Sequence, residues 1–369
     1  MPLTRVPFSI PEIPAEGSTT WGQLYGCAGA LAIASLAERS PGPVIIITAD
    51  PQSADRMRDE IRFFAPPDLE VLHFPDSEAL PYDAFSPHPD ITSQRLRTLA
   101  RLPALRNGVV VVALPTLMQR LPPSSWILGS SLDLSVGRRL DGAAFRTRLD
   151  AGGYRAVTQV SEHGEFATRG SIIDIFPMGS DQPFRIDLFD DEIESIRAFD
   201  PDNQRSTDRL ESVSVLPARE FPFTDEAIQA FRERFRQRFP IDLSRVGVYR
   251  DVSDGIAPGG VEFYLPLFFD CLETLPDYLP DDTRVIAATD LKAGAQQVWQ
   301  DVQARYEQLR HDLEQPRLSP DTLYIDPDQL QDHLTDHPTA RLESFETATE
   351  GWNAGSARLP PVRIAIRPG

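Results

Sequence analysis

Apolar positions follow two different periods along this 369-residue chain. In the first third, the segments 44–48 and 109–113 are almost entirely apolar and lie between segments of helical period. Strands that are apolar on both faces are typical of parallel sheets covered by helices, so we predict a doubly wound α/β sheet here. From residue 157 to about residue 216, apolar residues alternate with polar ones, which predicts a compact antiparallel insert. The helical period returns at Thr224.

The middle strand of the insert, predicted at residues 184–189, has two unlike faces. Successive side chains of a strand point to opposite sides, so one face is entirely apolar and the other carries Arg185, Asp187 and Phe189. Arg185 and Phe189 are about 13 Å apart at about 3.3 Å per residue. An Arg and a Phe on an outward face form a candidate docking surface. The alternative is that Phe189 covers a neighbouring helix.

The remaining pattern predicts elements around these two units. Residues 1–19 contain several prolines and are predicted to run over the surface, and the final thirty residues are predicted to form a tail. After the insert we predict a helix with a stripe of phenylalanines that ends at Pro240. The other predictions are strands at residues 244–250, 260–266 and 283–288, a helix at residues 291–313, and an edge strand at residues 324–325.

Composition narrows the possible partners and compartments. The formal net charge of −19 does not favour nucleic acid or an anionic membrane, so an anionic partner would require a local arginine cluster. The chain has neither an apolar run long enough to span a membrane nor a secretory leader, and we expect it in the cytoplasm. Its two cysteines, Cys27 and Cys271, form no metal or disulfide pattern and are predicted to be buried thiols.

A glycine-containing turn at residues 26–29 is the first candidate for a nucleotide site. A phosphate-binding loop requires Lys and then Ser or Thr directly after its last glycine. Here Gly29 is followed by two apolar residues, and the only lysine of the chain, Lys292, lies in another segment. Asp290 likewise lacks the second carboxylate of a magnesium and water site. We interpret the turn as structural and predict no bound cofactor or metal.

A second constellation, Glu162, His163 and Glu165, could supply metal ligands or an acid and base pair. Its spacing matches no helical metal motif such as HExxH, and a turn at a strand edge explains the residues. The other histidines are dispersed. No catalytic residue is therefore predicted, and the acidic run at residues 190–192 is interpreted as a solvated hairpin tip.

Four segments resemble a known family. EHGEFATRGSIIDIFPMGS and PFRIDLFDDEIESIRAFDPDNQRS resemble the second domain shared by the nucleotide-excision-repair protein UvrB and the bacterial transcription-repair coupling factors, the Mfd family. LPYDAFSPHPDITSQRLRTLARL and GGVEFYLPLFF are similar to the coupling factors in particular. The resemblance covers most of residues 20 to 340. It implies a UvrB-like N-terminal module in which a RecA-like parallel-sheet domain is split in sequence by an inserted mixed α+β, antiparallel domain.

The resemblance also implies a partner. In this family the inserted domain binds UvrA, and the contact residues correspond by position to Arg169, Arg185 and Phe189. The translocase motor and the domain that binds RNA polymerase are implied to lie beyond Gly369, as is the main contact with DNA. Coupling factors lack the working phosphate loop of UvrB, and the loop at residues 75–90 is too short for the aromatic hairpin that UvrB inserts into DNA.

These inferences give a domain division and two functional hypotheses. We expect a first half of a degenerate RecA-like domain at residues 1–130, an inserted UvrA-binding domain at residues 131–220, a second half at residues 221–345, and a linker at residues 346–369. We expect a monomeric recruitment module without catalytic activity. The alternative is a nucleotide-binding, RecA-type half of a helicase or excinuclease subunit related to UvrB.

Overall fold

A computed structural model describes Ile13, residues 18–335 and 337–343, and the backbone of residues 352–353. Most of the predicted tail at residues 346–369, and most of the predicted surface segment at residues 1–19, lie outside the described residues. Within the described part of the chain, no helix combines the length and the apolar character needed to cross a membrane.

The described residues form helices and strands throughout. The helices are α1 Ala28–Ala37, α2 Pro51–Phe64, α3 Pro89–Arg101, α4 Leu114–Leu117, α5 Ser124–Ser130, α6 Gly142–Ala151, α7 Asp225–Arg238, α8 Gly247–Ser253, α9 Leu291–Leu309, α10 Pro320–Leu323 and α11 Pro327–Thr335. The strands are β1 Ser18–Gly22, β2 Val44–Thr48, β3 Val71–Phe74, β4 Val109–Ala113, β5 Arg120–Leu121, β6 Leu132–Ser135, β7 Arg155–Ala156, β8 Glu165–Arg169, β9 Ile172–Phe176, β10 Phe184–Phe189, β11 Glu192–Phe199, β12 Ser206–Leu210, β13 Ser212–Val215, β14 Glu273–Thr274, β15 Arg284–Ala287, β16 Thr339–Leu342 and β17 Trp352–Asn353. Short 3-10 turns occur at Leu102–Ala104, Leu243–Arg245, Val261–Leu267 and Pro276–Tyr278.

The larger sheet is parallel and doubly wound, as predicted. Its strand order is β17-β1-β16-β15-β2-β4-β3. Alternate residues of β2 face opposite layers: Val44 and Ile46 pack with α1 and α2, whereas Ile45 and Ile47 pack with α3 and α4. All five residues of β2 and of β4 are buried, which explains their continuous apolar runs. Because β15 and β16 follow the insert in sequence, the sheet is assembled from both sides of it.

The second sheet belongs to the insert and is mainly antiparallel, also as predicted. Its strand order is β12-β11-β10-β9-β8-β7, and β7 alone pairs in parallel with its neighbour, β8. One face packs on α6 through Phe145 and Leu149, and this layer continues into the core of the larger sheet. The acidic tip connects β10 and β11, and Asp190 adopts a positive φ of 53° there. Asp tolerates this left-handed conformation better than most residues.

Helix α3 of the larger unit holds the insert in place through polar contacts. The guanidinium group of Arg95 is buried and donates to both carboxylate oxygens of Glu220, at 2.5 and 3.2 Å. It also donates to the Pro75 carbonyl oxygen and lies over the ring of Phe74, with 4.3 Å between the guanidinium carbon and the ring centroid. On the same helix, the exposed Arg97 pairs with Asp181 at 2.9 Å.

An aromatic cluster forms a separate core after the insert. It is built from α7, α8, the 3-10 turn Val261–Leu267 and part of α9. Phe231 and Phe235 of α7 are fully buried, which confirms the predicted phenylalanine stripe. Tyr82 of the loop after β3 packs into this cluster against Phe263 and Tyr306, with ring centroids 5.8 Å apart in both pairs.

Several predictions in this part of the chain are wrong. Residues 244–250 and 260–266 form helical turns, not strands, because short apolar runs do not distinguish the two conformations and these runs pack into the helical aromatic cluster. The predicted strand at residues 324–325 is reduced to an isolated bridge between Tyr324 and Gln119. Strands β1 and β16 were not predicted. Cys27 and Cys271 are exposed thiols, not buried ones.

Candidate protein-docking site

Phe189 is the most exposed residue of the second face of β10. Its side chain is 70% exposed, whereas Leu188 beside it is buried. Alternation explains the difference, because Phe184, Ile186 and Leu188 fill the inner face and leave Phe189 on the outer one. The alternative interpretation, in which Phe189 covers a neighbouring helix, does not describe this structure. A large apolar side chain therefore stands in solvent next to the acidic tip.

Arg169 lies on the same face at the end of β8. The residue is exposed, and its Nη2 donates to the Thr158 carbonyl oxygen at 2.7 Å. Arg169 is paired with Ile172 of β9, and Ile172 is paired with Asp187 of β10. Since directly paired residues point to the same side, these side chains form one row across three strands, about 10 Å from end to end.

Arg185 lies on the predicted face of β10, but its guanidinium group does not stand free in solvent. Instead, its Nε and Nη2 donate to the two carboxylate oxygens of Asp174 at 2.7 and 2.9 Å, and its guanidinium carbon lies 5.0 Å from the ring centroid of Phe199. The hydrogen bond to Asp174 raises the pKa of Arg185. The side chain of Arg185 is 23% exposed and that of Asp174 only 2%.

Part of this face is covered by the chain itself. Val160 lies over Ala167, Phe176 and Phe199 and forms with them a small second core. Arg185 stands at the border between this covered part and the open part. We define the docking face by the residues on its open side and border, which are Arg169, Ile172, Arg185, Asp187 and Phe189. It has an exposed aromatic side chain, one exposed arginine that bonds to a backbone carbonyl, and one arginine held by an internal carboxylate.

The constellation of Glu162, His163 and Glu165 is a structural turn. Glu165 is buried, and its Oε2 accepts from the backbone amides of Ser161 and Glu162 at 2.8 and 2.9 Å. Its Oε1 accepts from Arg155 at 2.5 Å. The ring of His163 bonds to Asp90 of α3 at 2.6 Å. In the described part of the chain, no three His, Cys, Asp or Glu side chains are grouped so that they could hold a metal ion.

Glu165→Gln should remove a pH-dependent contribution to stability. Burial raises the pKa of the Glu165 carboxyl. The two backbone hydrogen bonds and Arg155 lower this pKa by more than burial raises it, so the pKa lies below its ordinary value of 4.5. A carboxyl with a lowered pKa stabilises the fold fully above its unfolded pKa, and this contribution is lost as the pH falls through the folded value. At pH 7 we expect the variant to lose about 1–3 kcal/mol of unfolding free energy, because the buried charged group that accepts from two backbone amides and from Arg155 is removed.

Urea titrations of the parent and Glu165→Gln between pH 7 and pH 3 measure this difference. The difference should shrink at the acid end of the range. Glu162→Gln is the matched control, because the Glu162 side chain is 58% exposed. A difference that stayed constant with pH would show that the charge of Glu165 is not responsible.

The glycine turn before α1 lies between a strand and a helix, where a phosphate-binding loop would lie. It connects β1 to α1, and Gly26 adopts a positive φ of 57°. The first helical turn contains Ala28, Gly29 and Ala30, and most residues of α1 are buried against the sheet. Lys292 lies in the first turn of α9, which follows β15. No lysine follows the turn as a phosphate loop requires.

Comparison with known proteins agrees with this architecture. The family described as the UvrB interaction domain matches residues 132–221, which contain the docking face. A transcription-repair-coupling factor of Escherichia coli (strain K12) is 43% identical over 346 residues, 93% of this chain. The chain belongs to the transcription-repair coupling factor family, as an N-terminal UvrB-like module.

Two further coupling factors match the module. That of Haemophilus influenzae is 39% identical over 98% of the module, and that of Bacillus subtilis is 29% identical over 71%. The module spans 30% of the E. coli protein, 32% of the H. influenzae protein and 23% of the B. subtilis protein.

The three predicted site residues lie on one face of the sheet, but the sequence did not indicate what surrounds Arg185. Alternation alone placed Arg185 and Phe189 on one face of β10. Asp174 and Phe199 were not singled out, because their contact with Arg185 depends on the register of β9 and β11 against β10. The available signal was an aspartate between isoleucines in a strand otherwise apolar, since a carboxylate in such a place requires a partner.

Proposed function

We propose that this module binds UvrA through the docking face and recruits nucleotide excision repair to lesions at which RNA polymerase has stalled. The observation that supports the proposal best is the exposed Phe189, on the same sheet face as the exposed Arg169, in a domain of the UvrB interaction family. An aromatic anchor with arginine beside it is a frequent composition of binding hot spots. Measuring the affinity of Phe189→Ala for UvrA tests the proposal.

We also propose which segment of the full coupling factor carries each function. We propose a first RecA-like half at residues 1–130, a UvrA-binding domain at residues 131–220 and a second half at residues 221–345. The family match at residues 132–221 supports the two inner boundaries. Residues 346–369 would connect the module to regions that bind RNA polymerase and move along DNA. We propose that the protein acts in the cytoplasm and that the module alone is a monomer.

The module should not hydrolyse ATP, with or without DNA. No lysine follows the glycine turn, so no side chain there can neutralise a transferring phosphate. Asp290 is engaged as the N-cap of α9, where it accepts from the Ala293 amide at 3.1 Å. A phosphate-release assay on the purified module should give the background rate. Turnover that followed the module through purification and disappeared in Asp290→Asn would favour the alternative of a nucleotide-hydrolysing helicase half.

A further inference from the structure

Three arginines lie directly opposite one another on adjacent strands, on the outer face of the insert's sheet. Arg185 of β10 is paired with Arg197 of β11, and Arg197 is paired with Arg209 of β12. Neighbouring strands are about 4.8 Å apart, so the row extends about 10 Å from the docking face to the edge of the sheet. Like charges directly opposite each other destabilise strand pairing, so this arrangement requires compensation.

Within the described residues, only Arg185, at one end of the row, is paired with a carboxylate. Asp174 is paired with Arg185 on the other side and accepts both of its fork hydrogen bonds. Among the described residues, neither Arg197 nor Arg209 has an ion-pair partner, and the buried Nε of Arg197 has no hydrogen-bond acceptor. Arg209 is exposed and Arg197 is half-buried. In a chain of net charge −19, this row carries three positive charges against one negative charge.

We propose that Arg197 and Arg209 extend the docking face and bind carboxylates of the same protein partner, UvrA. This inference rests on the proposed function, because the row shares Arg185 with the docking face. Arginine forks match carboxylates in geometry as well as in charge. A partner that covers Phe189 and places acidic side chains toward β12 would supply the compensation that the chain lacks.

Nearby charges favour a protein partner over nucleic acid. Asp187 lies on the open part of the face, and the acidic tip of Asp190, Asp191 and Glu192 follows Phe189 directly. A phosphate backbone that followed the arginine row toward Phe189 would meet these carboxylates, and repulsion would oppose it. A folded protein partner can present its carboxylates to the arginines alone and keep them away from the acidic groups of the module.

Charge reversal at the edge of the row tests the inference. Affinity for UvrA is measured for the parent, Arg209→Glu, Arg197→Gln and Phe189→Ala over a range of salt concentrations. We expect Arg209→Glu to weaken binding by about tenfold at low salt and to reduce its salt dependence, because charges at the rim of an interface act through long-range attraction. Arg197→Gln should weaken binding in the same direction. Melting temperatures verify that each variant is folded.

Arg56→Glu is the matched control. Arg56 lies on α2 of the larger sheet unit, its side chain is 74% exposed, and the substitution changes the net charge equally. If Arg209→Glu and Arg56→Glu both bind like the parent while Phe189→Ala does not, the arginine row is excluded and the proposed function stands. If the folded parent itself fails to bind UvrA, both are overturned. If Arg209→Glu weakens binding to duplex DNA and leaves UvrA affinity unchanged, the row serves nucleic acid and the inference is wrong.

Discussion

Phe189→Ala should weaken binding to UvrA by about thirtyfold and leave the stability of the module unchanged. Truncation of a hot-spot residue typically costs about 2 kcal/mol or more of binding free energy, which corresponds to this factor. Since the side chain of Phe189 is 70% exposed, its removal takes little apolar surface from the folded core. Titration calorimetry gives the affinity, and thermal unfolding gives the stability.

The chain offers a close control for this experiment. Phe63, at the end of α2, is 79% exposed and lies on the larger sheet unit away from the insert. Phe63→Ala removes the same group from a position of similar exposure, and the affinity of this variant for UvrA should equal that of the parent. Equal losses in both variants, or none in either, would show that Phe189 is not an anchor.

The two arginines of the docking face should differ in what they affect. Arg169→Ala should weaken UvrA binding without changing the fold, because Arg169 is exposed and bonds only to the Thr158 carbonyl among the described residues. Removing Arg185 also leaves the buried carboxylate of Asp174 without its partner. The melting temperature of Arg185→Ala must therefore be measured as well. A loss of affinity is assigned to the interface only if this variant is as stable as the parent.

Arg95→Ala should destabilise the module by about 3–5 kcal/mol. This is the usual cost of removing one partner from a buried ion pair, because the other charge stays buried and unpaired. The side chain of Arg95 is 4% exposed and that of Glu220 is 15% exposed. Glu220 directly precedes the chain that leaves the insert, so the loss should also loosen the insert against α3. Urea unfolding followed by fluorescence measures the free energy.

Arg97→Ala is the control for Arg95→Ala. Arg97 is on the same helix and also bridges to the insert, but its side chain is 46% exposed and that of its partner Asp181 is 83% exposed. Exposed pairs contribute about 0–1 kcal/mol. A double-mutant cycle with Glu220→Gln separates the pair from other contacts of Arg95. Similar small losses in Arg95→Ala and Arg97→Ala would contradict the role assigned to the buried pair.

The sequence predicted those parts of the fold in which burial produces a regular pattern of apolar residues. The almost entirely apolar strands β2 and β4 predicted the parallel sheet, and the alternation in β10 predicted that Arg185 and Phe189 share one face. Strands β1 and β16 show no such pattern, because STTWG and TARL mix polar and apolar residues without a clear period. Their pairing with each other depends on distant parts of the chain.

The period of a single strand does not predict which residues lie opposite each other on neighbouring strands. Alternation states which side of β10 Arg185 faces, but only the register with β9 brings Asp174 to it. The same limit applies to the arginine row, since Arg197 and Arg209 lie twelve and twenty-four residues after Arg185. These registers depend on loop geometry, and two of the pairings contain a register shift, between Asp187 and Leu188 for β10 with β11 and between Arg197 and Phe199 for β11 with β12. No local pattern specifies either shift.

Hydrogen exchange of the module with and without UvrA tests the central claim most directly. The segments at residues 169–171 and 189–192 carry Arg169 and Phe189 of the docking face, and all of their residues are exposed. With saturating UvrA, we predict slower exchange at these two segments and unchanged exchange at the exposed turn of residues 25–27 before α1. Unchanged exchange at both docking-face segments, in a mixture where complex formation is verified, would contradict the account.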